Sequence, residues 1–210
     1  MVKLIGDIGS CHQGRLEYAR EAIKVGLDSG LDAVKFQLFK NLPPNIELPY
    51  EWFPELVQYG KDLGIEVFAS AFDDESYCLI CDFCNSIKFS YSERNNPKIV
   101  WTPNKRIYVS GDLMTKFYNN TIKLYCIPQY PVPFIIDFEG VFPRFDGFSD
   151  HTLGYKQTLE AVRQGAQIIE KHFTLDYADI NCPDNNFALK PAELAKMVKA
   201  IRFIESESRL

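Results

Sequence analysis

Eight short β-like runs, separated by helical stretches or short links within 210 residues, predict an α/β fold, a compact (β/α)8 TIM barrel with shortened fourth and fifth helical links. Three observations carry that expectation. Apolar runs of strand length alternate with stretches of helical period, the pattern of a parallel sheet wrapped by helices. A hydrophobic share of 46% lets a chain of this length build one substantial core without disulfides, so residues 1–210 are expected to form a single domain. The links Glu93 to Lys105, with two prolines, and Asp112 to Thr121 are too short to hold long helices.

In chain order, the first strand is expected over Lys3 to Ile8, followed by a helix over Leu16 to Val25. The second, Ala33 to Phe39, precedes a helix from Glu51 to Leu63, and the third, Glu66 to Ser70, precedes one from Glu75 to Cys84. Strands four to six fall at Ser86 to Ser90, Arg106 to Ser110 and Ile122 to Ile127, with no good helix after any of them. The seventh, Asp146 to Ser149, is followed by a helix-forming stretch, Gln157 to Gln164, and the eighth runs from Gln167 to Phe173. The final helix is the clearest, because Leu194, Met197, Val198, Ile201 and Ile204 mark one apolar face and Pro191 stands near its start. The thin side of the outer ring should leave apolar barrel surface that a second copy could cover, so a homodimer is expected.

Charge narrows the partners. With 23 basic and 28 acidic residues the net charge is −5, which offers no broad footprint for nucleic acid or an anionic membrane, and a small-molecule ligand fits better. No segment approaches the length of a secretory h-region or a membrane span, so a cytoplasmic location is expected. Six cysteines then read as reduced thiols. Cys78-x-x-Cys81-x-x-Cys84 has the outward form of an iron–sulfur run, but the proline that should follow is absent. These cysteines are expected on one side of the third helix, as small core residues.

The strongest functional signal is a pair of histidines, His151 in Ser149-Asp150-His151-Thr152 and His172 in Glu170-Lys171-His172-Phe173, 172 − 151 = 21 residues apart. One strand–helix–strand unit separates them. If their strands are parallel neighbours, both imidazoles emerge at the carboxyl end of the sheet, where α/β folds place ligands, and two neutral imidazoles there make a divalent-metal site.

Around this pair the chain resembles the N-acetylneuraminate (sialic acid) synthase family and its relatives that make other nonulosonic acids. The resemblance runs through Ile5-Gly6-Asp7-Ile8-Gly9-Ser10-Cys11-His12-Gln13-Gly14, Asp32-Ala33-Val34-Lys35-Phe36-Gln37 and Gly64-Ile65-Glu66-Val67-Phe68. It continues in Ser92-Glu93-Arg94-Asn95-Asn96-Pro97, Gln129-Tyr130-Pro131-Val132-Pro133, Phe148-Ser149-Asp150-His151-Thr152-Leu153-Gly154, Ile169-Glu170-Lys171-His172-Phe173-Thr174-Leu175 and Pro183-Asp184. The order and spacing of these pieces, more than any one of them, make it specific.

The resemblance implies condensation of phosphoenolpyruvate with the aldehyde of an N-acylated aminosugar such as N-acetylmannosamine, releasing phosphate. It implies a divalent metal, Mn2+ with Mg2+ or Co2+ as alternatives, held by His151 and His172 as a Lewis acid. Glu170, Asp7 and Lys35 are the catalytic candidates that follow from it, with Glu170 handling the attacking water and Lys35 pairing with the enolpyruvate carboxylate or phosphate. Lys88, Ser70 and Ser149 match phosphate-binding positions, while Gln37, Tyr130 and Asp184 match positions that contact the sugar. Taken alone, Lys35 and Lys88 could be solvated, Tyr130 could simply pack the rim, and His12 could be a capping or supporting residue.

Departures from the family pattern are expected to alter the phosphate cradle. Asp7 stands for a glutamate, Pro128 for an asparagine, Tyr91 for a serine after strand four, and Val109 for a phosphate-facing serine of strand five, although Ser92 and Ser110 are adjacent. The chain reads as a short form without the C-terminal antifreeze-like domain, which a separate polypeptide could supply. Three functions remain open: a minimal synthase, a catalytically weakened or inactive homologue acting as a metal/phosphate-binding module, and a phosphoester hydrolase on the same barrel.

Overall fold

The computed structural model describes residues 1–102, 104–142, 144–179 and 181–207. Eight parallel strands close into a barrel in sequence order: β1 Lys3–Asp7, β2 Ala33–Leu38, β3 Glu66–Ala71, β4 Ser86–Phe89, β5 Arg106–Gly111, β6 Thr121–Cys126, β7 Gly147–Asp150 and β8 Ile168–His172. The expected (β/α)8 architecture is therefore present, with each strand within one or two residues of its sequence-based position.

Helices cover one side of this barrel and are nearly absent from the other. Three follow the first three strands, α1 Leu16–Ser29, α2 Phe53–Leu63 and α3 Asp74–Phe83. A single turn, α4 Lys98–Trp101, follows β4, while α5 Lys156–Arg163 and α6 Pro191–Glu207 follow β7 and β8. Among the described residues no helix lies between β5 and β6 or between β6 and β7. The sixth link instead lays Ile136, Phe138 and Phe145 against the wall, all buried. Phe138 and Phe145 reach Tyr125 of β6, Phe138 meets Phe148 of β7 at 5.0 Å, and Phe145 meets Phe117 of the fifth link at 5.5 Å. The apolar wall expected to await a second copy is thus largely covered by the chain's own aromatic loop. Trp101, Met114 and Ile135, from three successive links, stay exposed.

Inside the barrel the inward side chains form tiers, because alternate residues of each strand share a face. At the amino end, Glu66 takes Lys3 at 2.7 Å and Arg106 at 2.6 Å and accepts the Ser86 hydroxyl. Above it Phe68 and Tyr108 stack at 5.5 Å, an apolar plug that seals this end. The next tier, at the carboxyl end, is again polar and is the floor of the site.

The thiols correct one expectation. Cys84 is buried, but Cys81 is half-buried and Cys78 exposed. At 100° per residue the i, i+3, i+6 spacing sweeps about 120° around a helix, so a row that starts in solvent reaches the core only at its far end. No helix among the described residues is long and apolar enough to cross a membrane.

Candidate active site

A cavity of about 420 Å³ opens at the carboxyl ends of the strands, and all eleven residues singled out from the sequence line it. Asp7 closes β1, Lys35 and Gln37 stand two apart on β2, Ser70 and Lys88 pair across β3 and β4, and Glu170 and His172 end β8. Tyr130 and Asp184 come from loops after β6 and β8, and His151 directly follows β7.

Two buried ion pairs organise the floor. Lys35 Nζ bonds Asp7 Oδ2 at 2.6 Å and the Ser70 hydroxyl at 3.0 Å, with Glu170 Oε2 3.9 Å away. Lys88 Nζ bonds Glu170 Oε1 at 2.8 Å, and the Ser149 hydroxyl donates to the same oxygen at 2.7 Å. Lys35, Lys88, Asp7 and Glu170 are each 2 or 3% exposed, so the solvated reading of the lysines is wrong. Burial alone would raise the two carboxyls, yet the cations beside them win: Asp7 lies well below the usual carboxylate range and Glu170 falls to about 2. Lys35 is raised, because the attraction of Asp7 and Glu170 outweighs the burial that would lower it. Both carboxylates are therefore ionised at neutral pH. Glu170 stabilises the fold above its ordinary value of 4.5, and that contribution is lost as pH falls towards about 2.

The histidines meet above this floor, their ring centroids 5.5 Å apart. Burial, with His172 beside it, drives His151 down to about 3, so its ring is neutral. Its Nδ1 lies 3.1 Å from the Ile127 carbonyl oxygen, which assigns the proton to Nδ1 and leaves the Nε2 lone pair free. His172 sits between carboxylates, Nε2 3.4 Å from Asp7 and Nδ1 3.9 Å from Asp184. Asp184 is held by the Ser10 backbone N–H at 2.5 Å. Gly9, at φ 50°, makes room for it: a Cβ there would meet Asp184 Oδ2 at 2.2 Å and His172 Nδ1 at 3.2 Å.

Several lining residues were not legible from sequence, and one expectation fails. Val109 does not face the phosphate end; it is buried in the outer layer, and Ser110 lines the cavity with its hydroxyl unpartnered. Ser90 and Ser92 line it as well, bonded to each other at 2.8 Å, so hydroxyls persist where a loss was expected. Tyr91 also lines the cavity, and its hydroxyl donates to Asp112 at 2.5 Å. Cys126 lies 3.8 Å from His151 Nδ1, and burial pushes its thiol up to about 12. Phe187 packs edge-on against His172 at 4.9 Å and tilted against Tyr130 at 5.6 Å; its place three residues beyond Asp184 was the available signal. His12 is a supporting residue, its Nδ1 accepting the Gly14 N–H at 3.0 Å.

The donors fit a divalent ion in an open site better than a closed cage. Among the described residues no group of three or more His, Cys, Asp or Glu side chains is arranged to hold a metal. His151 and His172 still offer two imidazoles side by side, and both His172 Nδ1 and Glu170 Oε2 are buried without a hydrogen-bond partner. Atoms left so are costly unless a ligand meets them.

Comparison with known proteins places this arrangement. Residues 112–208 match the NeuB family model. An uncharacterized protein of Methanocaldococcus jannaschii is 30% identical over 239 residues, spanning 96% of this chain and 70% of that protein. The chain belongs to the NeuB family. The N,N'-diacetyllegionaminic acid synthase of Campylobacter jejuni is 29% identical, with 96% of this chain and 76% of that protein covered. The solved structure of the spore coat polysaccharide biosynthesis protein SpsE from Bacillus subtilis superimposes with a TM-score of 0.83 at 28% identity, covering 99% of this chain and 69% of that one.

Proposed function

We propose that this chain condenses phosphoenolpyruvate with the aldehyde of an N-acylated aminosugar, giving a sialic acid or related nonulosonic acid and phosphate. The observation that carries this reading is the pairing of two buried lysines with two buried carboxylates directly beneath two imidazoles. That set supplies anion binding, proton transfer and metal coordination within one cavity, and relatives named as nonulosonic acid synthases support it.

In the reaction, the methylene carbon of phosphoenolpyruvate bonds to the aldehyde carbon, water oxygen adds to the enol carbon, and phosphate leaves. Lys35 and Lys88 receive the carboxylate and phosphate, with Ser70 and Ser149 donating hydroxyls already aimed at the same lysine–carboxylate cluster. Glu170, ionised and with Oε2 free, takes the proton of the attacking water. Asp7 fixes Lys35 and also accepts Gln37 Nε2 at 3.0 Å, which sets that amide for the sugar. Tyr130 and Asp184 orient the acceptor from the rim. Manganese, with magnesium or cobalt in its place, would be held by His151 and His172 and would polarise the aldehyde oxygen. The same reading takes the protein as a cytoplasmic homodimer, with Trp101, Met114 and Ile135 available to a second copy and a separate antifreeze-like domain as a further partner.

A binding module with little or no activity is the second reading, favoured by one observation: Tyr91 lines the cavity but spends its hydroxyl on Asp112. Phosphate release from phosphoenolpyruvate with manganese, screened over N-acetylmannosamine and related aldoses, separates the two. The synthase reading expects sugar-dependent release that His172→Ala abolishes. Binding of phosphoenolpyruvate and manganese without any release would overturn it in favour of the module.

A further inference from the structure

We propose that Lys171 and Asp150 are positioning residues that clamp the two histidines at their working separation. The inference rests on the reading of His151 and His172 as a joint ligand pair, and it concerns residues outside the cavity.

Strands β7 and β8 pair Ser149 with Glu170 and, one step on, Asp150 with Lys171. Alternation turns the first of these rungs inward, where Ser149 bonds Glu170, and the second outward, beneath the helices. His151 and His172 form the next inward step. Between two rungs of cavity residues therefore lies an ion pair in the protein's outer layer, Lys171 Nζ to Asp150 Oδ2 at 3.2 Å, with both side chains 0% exposed.

Lys171 makes a second bond, to the carbonyl oxygen of Thr152. Its ammonium thus grips the residues on both sides of His151, and it does so from the residue that directly precedes His172. Asp150 completes the grip: Oδ1 accepts the Thr152 N–H at 2.7 Å, and Oδ2 accepts the Thr158 hydroxyl of α5. The His151 carbonyl is taken by Val132 N–H at 3.0 Å. Gly147 brings the strands close enough for this, because a Cβ there would meet the Ile168 carbonyl oxygen at 2.2 Å.

A fully buried ion pair is a poor way to gain stability, since apolar residues of the same volume would serve as well or better; its best-attested use is to fix register. Register is what a two-histidine site needs. A slip by one residue would turn one imidazole to the outer layer, and it would strand the Lys171 charge without its carboxylate.

The test compares Lys171→Met and Asp150→Asn with the wild-type chain by two readouts. One is manganese affinity of the otherwise ligand-free protein, by calorimetry. The other, on metal-free protein, is the nuclear Overhauser effect between the two imidazole rings. The clamp predicts about a tenfold loss of manganese affinity and a weakened ring-to-ring effect, with metal-free phosphoenolpyruvate binding retained because Lys35 and Lys88 lie on other strands. Where Lys171→Met does not fold, the milder Asp150→Asn carries the test. Unchanged affinity and unchanged ring contact in a folded variant would overturn the clamp, as would lost affinity with the ring contact intact. His151→Ala and His172→Ala, assayed alongside, keep the two ideas apart: full manganese affinity in both would sink the metal reading, and the ring-to-ring effect would still judge the clamp.

Discussion

The two sides of this barrel solve the same packing problem differently. Around β1 to β3 and β7 to β8, helices of eight residues or more cover the wall, and these strands carry Lys35, Gln37, Ser70, Ser149, Glu170 and His172. Around β4 to β6 the longest helix has four residues, and Phe117, Phe138 and Phe145 cover the wall from loops. The residues expected to depart from the family pattern after strand one, Tyr91, Val109 and Pro128, fall on this second side. A loop held by aromatic contacts needs no helical repeat, so this side can drift in sequence while the barrel stays closed. The ladder of β7 and β8 is tied at two consecutive steps, by Ser149–Glu170 and Asp150–Lys171, directly below the two imidazoles, and has no such freedom.

The sharpest way to break the comparison is to attack the tied side. Glu170→Ala would leave Lys88 without its carboxylate and remove the acceptor of Ser149. We expect kcat for phosphate release to fall about 100- to 10,000-fold, the usual range for losing a general acid or base. Unfolding free energy should drop by about 3–5 kcal/mol, because a buried cation is left uncompensated. Activity within tenfold of wild type would mean that Glu170 is a structural counter-ion and nothing more.

On the aromatic side the expected effect is on stability alone. Phe138 is 3% exposed and touches Tyr125, Phe142 and Phe148. Phe138→Ala should cost about 3–5 kcal/mol in urea unfolding through the cavity it leaves. Turnover per folded molecule should be unchanged, since none of these rings lines the site. A drop in kcat without a drop in stability would show that the two sides are not independent.

What the sequence made legible follows the same division. The eight strands and the parallel pairing of β7 and β8 could be read, because they rest on short apolar periodicity or on spacing within one unit, while the gathering of the site residues followed from the family resemblance of their motifs. The covering loop 127–146 could not be read: its aromatics Tyr130, Phe134, Phe138, Phe142 and Phe145 stand four, four, four and three residues apart, near a helical period, yet no helix forms among its described residues, where Pro128, Pro131, Pro133 and Gly140 at φ 71° break the run. The buried pair Asp150–Lys171 was hidden for a different reason: each residue looks like an ordinary surface charge until the register sets it against the other. Parity was the weakest link. Whether Val109 or Ser110 faces inward depends on a one-residue frame that Tyr108, buried in the plug, fixes only in three dimensions.

That parity gives the smallest and most discriminating test. Ser110 Oγ is buried without a partner in the ligand-free chain, so Ser110→Ala removes an unsatisfied group and should leave the melting temperature unchanged or raised. If its hydroxyl meets the phosphate, the Kd for inorganic phosphate should rise about fivefold, close to 1 kcal/mol, one ordinary hydrogen bond. Val109→Ser is the mirror experiment: it buries a hydroxyl in the apolar outer layer, so it should lower stability and leave phosphate affinity where it was. If Val109→Ser tightened phosphate while Ser110→Ala did nothing, the inward face of β5 would be the opposite one, and the retained hydroxyls on this side of the cavity would no longer argue for a working anion site.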